Sequence, residues 1–138
     1  MNKFILTDEC VVVDDIKLYR IKAIIDFGSV KQGDMGGFVE EEFNLSQSGA
    51  SWIAANAQVS GNARVYGNAQ VSGDAQVSGN ARVSGDAQVS GNAQVYGNAR
   101  VSGNAQVYGN SWVSGDAWVS GDARVYGNAR VYGNAQVS

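Results

Sequence analysis

Three arginines recur at a fixed interval in the middle of the chain, and their side chains could bind an anion. Arg64, Arg82 and Arg100 are 18 residues apart. If the chain returns to the same position every 18 residues, the guanidinium groups form a stripe of like charge that repels itself modestly in water. Such a stripe can bind an anion or a protein partner. Alternatively, the long side chains splay apart and cover neighbouring serine and asparagine residues.

Four aromatic residues form a second group of candidate binding residues. Trp112 and Trp118 are six residues apart, and Tyr108 and Tyr126 are 18 residues apart. Exposed aromatic side chains are enriched at protein interfaces and provide platforms on which sugar rings stack. The alternative interpretation is that these side chains only cover the backbone beneath them.

The chain lacks the side chains on which most catalysis and metal binding depend. It has no histidine and a single cysteine, Cys10, so it offers neither a histidine base nor a zinc-binding set. Asp74, Asp86, Asp116 and Asp122 replace asparagine in a recurring turn, and they could bind calcium only if they converged with other oxygen ligands. No phosphate-binding loop motif is present. We therefore expect no enzyme activity, no metal and no cofactor.

A six-residue repeat determines where these side chains lie. Residues 49–138 contain 15 copies of the pattern Gly-Asn/Asp-Ala-X-Val-Ser/Tyr, of which the first two are irregular. Alanine and valine face the same side of an extended strand, and Gly-Asn or Gly-Asp allows a sharp turn. Continuous hairpins are an alternative, but they favour the order Asn-Gly and would leave the small apolar face without a second layer. The repeat therefore predicts a parallel β-helix with a continuous core.

The repeat resembles that of hexapeptide-repeat proteins, in which an aliphatic residue is followed four positions later by a small one. Val65 with Ala69 and Val71 with Ala75 fit this pattern. The resemblance implies a left-handed coil of three hexads per turn, and hence about five triangular turns of 18 residues. Acyltransferases of that class use a histidine and a projecting loop, both of which the hexads lack. A degenerate acyltransferase-like protein is therefore only a remote alternative.

A turn of 18 residues assigns the X positions to three faces. The first face stacks Trp52, Gln70, Gln88, Gln106 and Arg124; the second stacks Gln58, Gln76, Gln94, Trp112 and Arg130; the third stacks Arg64, Arg82, Arg100, Trp118 and Gln136. Glutamines stacked at strand spacing can form ladders of amide hydrogen bonds, which would be a structural role. The two tryptophans fall on adjacent faces of one turn.

Residues 1–48 lack the repeat, and we expect them to form a small β-rich cap domain on the β-helix of residues 49–138. Strands are predicted at 4–6, 10–13 and 16–23, with a buried Cys10 thiol, followed by a glycine-rich loop that ends at Phe38-Val39. The end of a solenoid exposes unpaired backbone groups that recruit other chains unless they are covered. The C-terminal turn has no such cap, so a homo-oligomer is expected there, most simply a two-fold end-to-end dimer.

Charge and hydropathy narrow the classes of partner. Residues 1–48 carry five Lys/Arg and nine Asp/Glu, a net charge of −4, whereas residues 49–138 carry five Arg and four Asp, a net charge of +1. No broad basic surface is available for nucleic acid, and no segment has the length of a membrane span. The single cysteine fits a reducing compartment.

The segment Asp26–Glu40, with Asn44-Leu45-Ser46 and Trp52-Ile53, resembles small hexapeptide-repeat proteins of gut bacteria and their phages. Such proteins are often labelled as transferases or polymer-forming proteins. The resemblance implies the fold, a phage or mobile-element origin and the cytoplasm of a bacterial host.

Two classes of function are compatible with these features. The first is a non-catalytic scaffold or interaction module that binds a protein partner, for example an inhibitor of a host defence protein. The second is a repetitive surface that binds a glycan or another ligand. A protein partner would use the arginine stripe or the tryptophan pair, whereas a glycan would use Trp112, Trp118 and the tyrosines.

Overall fold

The computed structural model describes residues 2–138, whose 18 β-strands form an N-terminal antiparallel hairpin and a left-handed parallel β-helix of about six turns. The predicted all-β fold with a small N-terminal β cap is confirmed. A 3₁₀ helix, Glu42–Asn44, lies between the third and fourth strands. The strands are β1 (Phe4–Val13), β2 (Ile16–Ala23), β3 (Met35–Val39), β4 (Trp52–Ile53), β5 (Gln58–Val59), β6 (Arg64–Val65), β7 (Gln70–Val71), β8 (Gln76–Val77), β9 (Arg82–Val83), β10 (Gln88–Val89), β11 (Gln94–Val95), β12 (Arg100–Val101), β13 (Gln106–Val107), β14 (Trp112–Val113), β15 (Trp118–Val119), β16 (Arg124–Val125), β17 (Arg130–Val131) and β18 (Gln136–Val137).

Each hexad forms one side of the coil and one corner. The strand consists of the X residue and the valine, and the Gly-Asn or Gly-Asp pair turns the chain. At a typical corner the N–H of Ala81 donates to the carbonyl of Ser78 at 3.3 Å, and Gly79 has a φ of +66°. Because only the first central residue has a positive φ, the corner has the arrangement of a type II′ turn. The order Gly-Asn is therefore the one that the corner requires.

The strands stack into three sheets, one for each face. The first face is ordered β16-β13-β10-β7-β4, the second β1-β2-β3-β5-β8-β11-β14-β17, and the third β18-β15-β12-β9-β6. The parallel registers place each X residue over the one 18 positions earlier, as with Arg64, Arg82, Arg100 and Trp118. The predicted assignment of the X residues to three stacked rows is confirmed.

Alanine and valine fill the interior of the coil. Ala87 and Val89, in the middle of the solenoid, are fully buried, and burying one valine contributes roughly 1.5–3 kcal/mol. Ser111 takes the place of an alanine in this core, and its hydroxyl donates to the carbonyl of Tyr108 at 2.7 Å. The buried hydroxyl is thus paired, so the core tolerates the substitution.

Residues before the first hexad add two sides to the coil, and β4 in the first hexad completes that turn. Strand β3 pairs in parallel with β5, Leu45 forms a bridge to Val65, and β4 pairs in parallel with β7. Gly36 and Gly37 lie inside β3, so the loop predicted before Phe38 is wrong at these residues. A Cβ atom on Gly36 would lie 2.5 Å from the Ile53 carbonyl oxygen, which shows that these glycines allow close contact between turns.

Strands β1 and β2 form an antiparallel hairpin ahead of this additional turn. Its tip is Asp14-Asp15, with φ values of 51° and 66°, as in a two-residue type I′ turn. The predicted strands 4–6 and 10–13 are parts of β1, with an irregularity between Leu6 and Cys10. The Cys10 thiol is exposed, not buried as predicted. Its apolar neighbours suggested burial, but β1 is the outermost strand of its sheet.

Candidate functional site

The arginine stripe lies on the third face and is exposed to solvent. In the described residues 2–138, the one ion pair joins Arg20 to Glu9, so the ladder arginines have no carboxylate partner there. The Arg64 guanidinium lies 5.5 Å from the centre of the Phe43 ring, and that of Arg100 lies 5.3 Å from the Trp118 ring. The stripe therefore has aromatic contacts at its two ends.

The structure divides the predicted aromatic group among separate places. The Trp112 ring is 4.6 Å from the Arg130 guanidinium and packs edge-on against Tyr96 at 6.2 Å. Tyr108 and Tyr126 stack in parallel at 5.4 Å on a corner of the coil. Trp118 lies on the third face below Arg100. The candidate residues thus form small contacts between turns and do not form one cluster.

Amide ladders occur at the corners rather than on the faces. The Nδ2 of Asn62 donates to Asn80, that of Asn80 to Asn98, and that of Asn98 to Asp116, at 3.0–3.2 Å. In residues 2–138 no hydrogen bond joins two of the stacked glutamines, so the glutamine ladders allowed by the sequence do not form. Each aspartate that joins a ladder accepts from an asparagine one turn earlier, and no two aspartates are stacked in adjacent turns. This order avoids repulsion between carboxylates.

Hydrogen bonds between turns have a predominant direction, which makes the two ends of the solenoid different. In one hexad the N–H groups of Gln76, Ser78 and Asn80 all donate to carbonyls of the next turn at 2.7–3.0 Å. Only the valine N–H donates in the opposite direction, as the parallel register requires. The N-terminal edge is therefore rich in carbonyl acceptors, and the C-terminal edge is rich in N–H donors.

Residues outside the repeat supply donors to the carbonyl-rich edge. The fully buried Asn44 donates from Nδ2 to the carbonyls of Ala63 at 2.8 Å and Gly61 at 3.2 Å. The N–H of Glu40 donates to the carbonyl of Val59 at 3.1 Å. These bonds satisfy main-chain acceptors that would otherwise be left unpaired at the end of a solenoid.

A buried ammonium group completes this closure. Lys3 is 1% exposed, and its Nζ donates to the carbonyls of Ser51 at 2.8 Å, Ser48 at 3.2 Å and Gly49 at 3.2 Å. The Nζ also lies 4.7 Å from the centre of the Phe27 ring. Burial lowers the pKa of Lys3 to about 8. The carbonyl oxygens and the aromatic ring provide the negative potential that a carboxylate would otherwise supply.

The last turn presents the opposite edge. Within residues 2–138, the N–H groups of Arg124, Arg130 and Gln136 have no main-chain acceptor, whereas their counterparts one turn earlier all donate. Val131 and Val137 are only partly buried, unlike the fully buried valines of the central turns. Within the described residues, this turn therefore carries a donor-rich backbone edge beside a partly buried end of the apolar core.

The described residues offer no group of three or more metal-ligating side chains. No helix among them is long and apolar enough to cross a membrane. The main structural features are instead the three stacked faces, the amide ladders at the corners, and the carbonyl-rich and N–H-rich edges of the solenoid. This arrangement defines a β-solenoid protein.

The family model described as "Bactofilin: Polymer-forming cytoskeletal" matches residues 51–138. Because this match covers more than half of the chain, the protein belongs to the Bactofilin family, whose members are structural proteins of the cytoskeleton. No curated protein was found to match the chain.

Proposed function

We propose that this protein is a non-catalytic structural scaffold that assembles with copies of itself through the C-terminal turn of its solenoid. The carrying observation is the donor-rich, partly apolar edge formed by β16, β17 and β18. Membership in a polymer-forming family supports the proposal. A bacterial cytoplasm is the compartment in which we propose that it acts.

Two such edges can pair with each other about a two-fold axis. The N–H of Trp112 donates to the Ala129 carbonyl at 3.0 Å, and the register places the Val131 N–H opposite the Trp112 carbonyl. One turn later, the N–H and carbonyl of Arg130 point outward in the same way. Opposed residues of antiparallel strands exchange both bonds, so Arg130 can pair with the same residue of a second copy.

A polymer needs a second contact, because a two-fold contact at one end alone produces a dimer. The N-terminal hairpin exposes Ile5 by 45%, Val12 by 67% and Ile16 by 37%. Exposed aliphatic side chains of this kind favour association. The hairpin is therefore our candidate for the second contact.

Proline at position 132 tests the proposed edge. Tyr132→Pro removes an outward N–H that has no acceptor inside residues 2–138, so the fold should survive while end-to-end pairing is lost. Tyr132→Ala is the matched control because it keeps the N–H. We expect wild type and Tyr132→Ala to form large assemblies in sedimentation and electron microscopy, and Tyr132→Pro to form at most dimers. A wild type that stays monomeric at all concentrations would contradict the proposal.

A second candidate function is recognition of a separate protein, as an inhibitor of a host defence protein encoded by a phage or mobile element. Trp118 and Tyr126 are 47% and 58% exposed, and exposed aromatic residues favour interfaces. Joint replacement of Trp112 and Trp118 by alanine should abolish capture of such a partner, whereas replacement of Arg64, Arg82 and Arg100 tests the stripe. Binding on a glycan array would instead favour a glycan-binding surface, and retention of the partner by both variants would exclude these surfaces.

A further inference from the structure

A groove of about 660 Å³ lies between the 3₁₀ helix and the start of the third face. This volume is within the range of small-molecule binding sites. Its lining includes Phe43, Arg64, Tyr66 and Arg82, together with polar residues that follow the helix. The period of the repeat gave no indication of this groove, because its outer wall is built by residues outside the repeat.

Two guanidinium groups that have no carboxylate partner in the described chain line the groove. Arg64 and Arg82 occupy neighbouring strands, β6 and β9, in parallel register, at the spacing of about 4.8 Å between strands. Neither has a carboxylate within ion-pair distance in the described chain. A phosphate group carries two negative charges near neutral pH and has enough oxygens to accept from both guanidinium groups.

The groove is also lined by aromatic and apolar side chains. Phe43 is 45% exposed and Tyr66 is 39% exposed, whereas Leu45 and Val65 beneath them are buried. Partly exposed aromatic rings above a buried aliphatic floor can hold a flat ring by stacking. The groove therefore combines an anion site with a site for a planar group.

Polar atoms at the edge of the groove complete this arrangement. The carboxylate of Glu42 accepts from the Gln47 amide at 2.9 Å, which fixes its orientation. A carboxylate accepts about four hydrogen bonds in total, so Glu42 can also accept from hydroxyl or amino groups of a ligand. Glu41 also lines the groove, so two carboxylates and two guanidinium groups suit a ligand that carries donors as well as an anion.

We propose that this groove binds a nucleoside monophosphate. The phosphate lies between Arg64 and Arg82, the base stacks on Phe43 and Tyr66, and Glu42 accepts from a ribose hydroxyl or from the base. This site is separate from the C-terminal edge, so it does not depend on self-assembly. Arg100 belongs to the same stripe but does not line the groove, because its guanidinium lies beside Trp118.

Glutamine is a suitable replacement for these arginines, since it occupies many equivalent X positions of the repeat. Binding of AMP, UMP, adenosine and inorganic phosphate is measured by equilibrium dialysis. Arg64→Gln and Arg82→Gln are expected to weaken AMP binding at least about tenfold, the effect of losing a charge-assisted hydrogen bond, while Arg100→Gln keeps wild-type affinity. Phe43→Ala should weaken AMP binding and leave any phosphate binding unchanged.

The same ligands and variants can also contradict the proposal. Absence of saturable binding by both nucleotides would exclude the site. Equal losses in Arg82→Gln and Arg100→Gln would show that the whole stripe attracts anions without a groove. Phosphate binding as tight as that of AMP would remove the role of the rings. Circular dichroism of each variant establishes that the β-helix is intact.

Discussion

Replacing Gly85 with alanine is expected to destabilise the solenoid by about 3–4 kcal/mol, through backbone strain and crowding between turns. Gly85 has a φ of +65°, and a Cβ atom there would lie 2.9 Å from the amide nitrogen of Gly103. The positive φ alone, at the first central position of a type II′ turn, disfavours alanine by roughly 1–3 kcal/mol. The clash adds to this because the neighbouring atoms belong to the backbone of the next turn and cannot rotate away.

Two other glycines separate strain from crowding. Gly127 has a φ of +64° and Gly33 a φ of +94°, and neither would bring a Cβ atom within 4 Å of another group. Gly127→Ala and Gly33→Ala should therefore show only the smaller effect of strain. Urea denaturation followed by circular dichroism measures all three variants. Equal destabilisation at Gly85 and Gly33 would mean that packing between corners does not limit stability.

The second large effect is expected at Asn44, whose side chain makes four hydrogen bonds to the backbone. Its Oδ1 accepts from the N–H groups of Glu41 at 2.8 Å and Glu40 at 3.1 Å, while its Nδ2 donates to the carbonyls of Gly61 and Ala63. Asn44→Ala leaves three of these four groups without a partner, since the N–H of Glu40 also donates to the carbonyl of Val59. We expect a loss of about 3–5 kcal/mol in the free energy of unfolding, because each unsatisfied buried group costs roughly 1 kcal/mol or more.

Asn62→Ala is the matched control for this prediction. Asn62 also makes a hydrogen bond between turns, but it is exposed, so its loss should destabilise the protein by less than about 1 kcal/mol. Asn44→Asp adds a sharper comparison, since the aspartate keeps the acceptor but directs a second oxygen at two carbonyls. It should be as harmful as alanine at neutral pH and less so in acid, where the protonated carboxyl can donate. Similar stability of Asn44→Ala and Asn62→Ala would refute the role of Asn44 as a closing residue.

The sequence predicts the coil well because its period is a local property. Once the chain turns every six residues, the face of each X residue follows from counting, which explains why the rows through Trp112, Trp118 and the arginines are confirmed. The position of the amide ladders does not follow from counting. It depends on how closely the side chains approach one another. The short asparagine side chains at the stacked corners form hydrogen bonds between turns, whereas the longer glutamines on the faces do not.

The start of the chain could not be predicted to the same extent. Gly36 and Gly37 resemble loop residues, and only the approach of Ile53 and Ala57 shows that they belong to a strand. The closing role of Asn44 depends on where a three-residue helix places it. The groove beside Arg64 has the same origin, because Phe43 comes from that helix. These features arise from contacts between distant segments, which periodicity does not encode.

The alignment of side chains in register also constrains how genes for such proteins can change in length. Duplication of an 18-residue block would lengthen the prism by one layer and leave every downstream residue on its original face. Slippage by one hexad between Arg100 and Trp118 would rotate everything downstream by one third of a turn, which would move Trp118 off the face that carries Arg100. Recombination can therefore change the height of the prism in steps of a full turn without rearranging its surface. Any smaller step rearranges the surface.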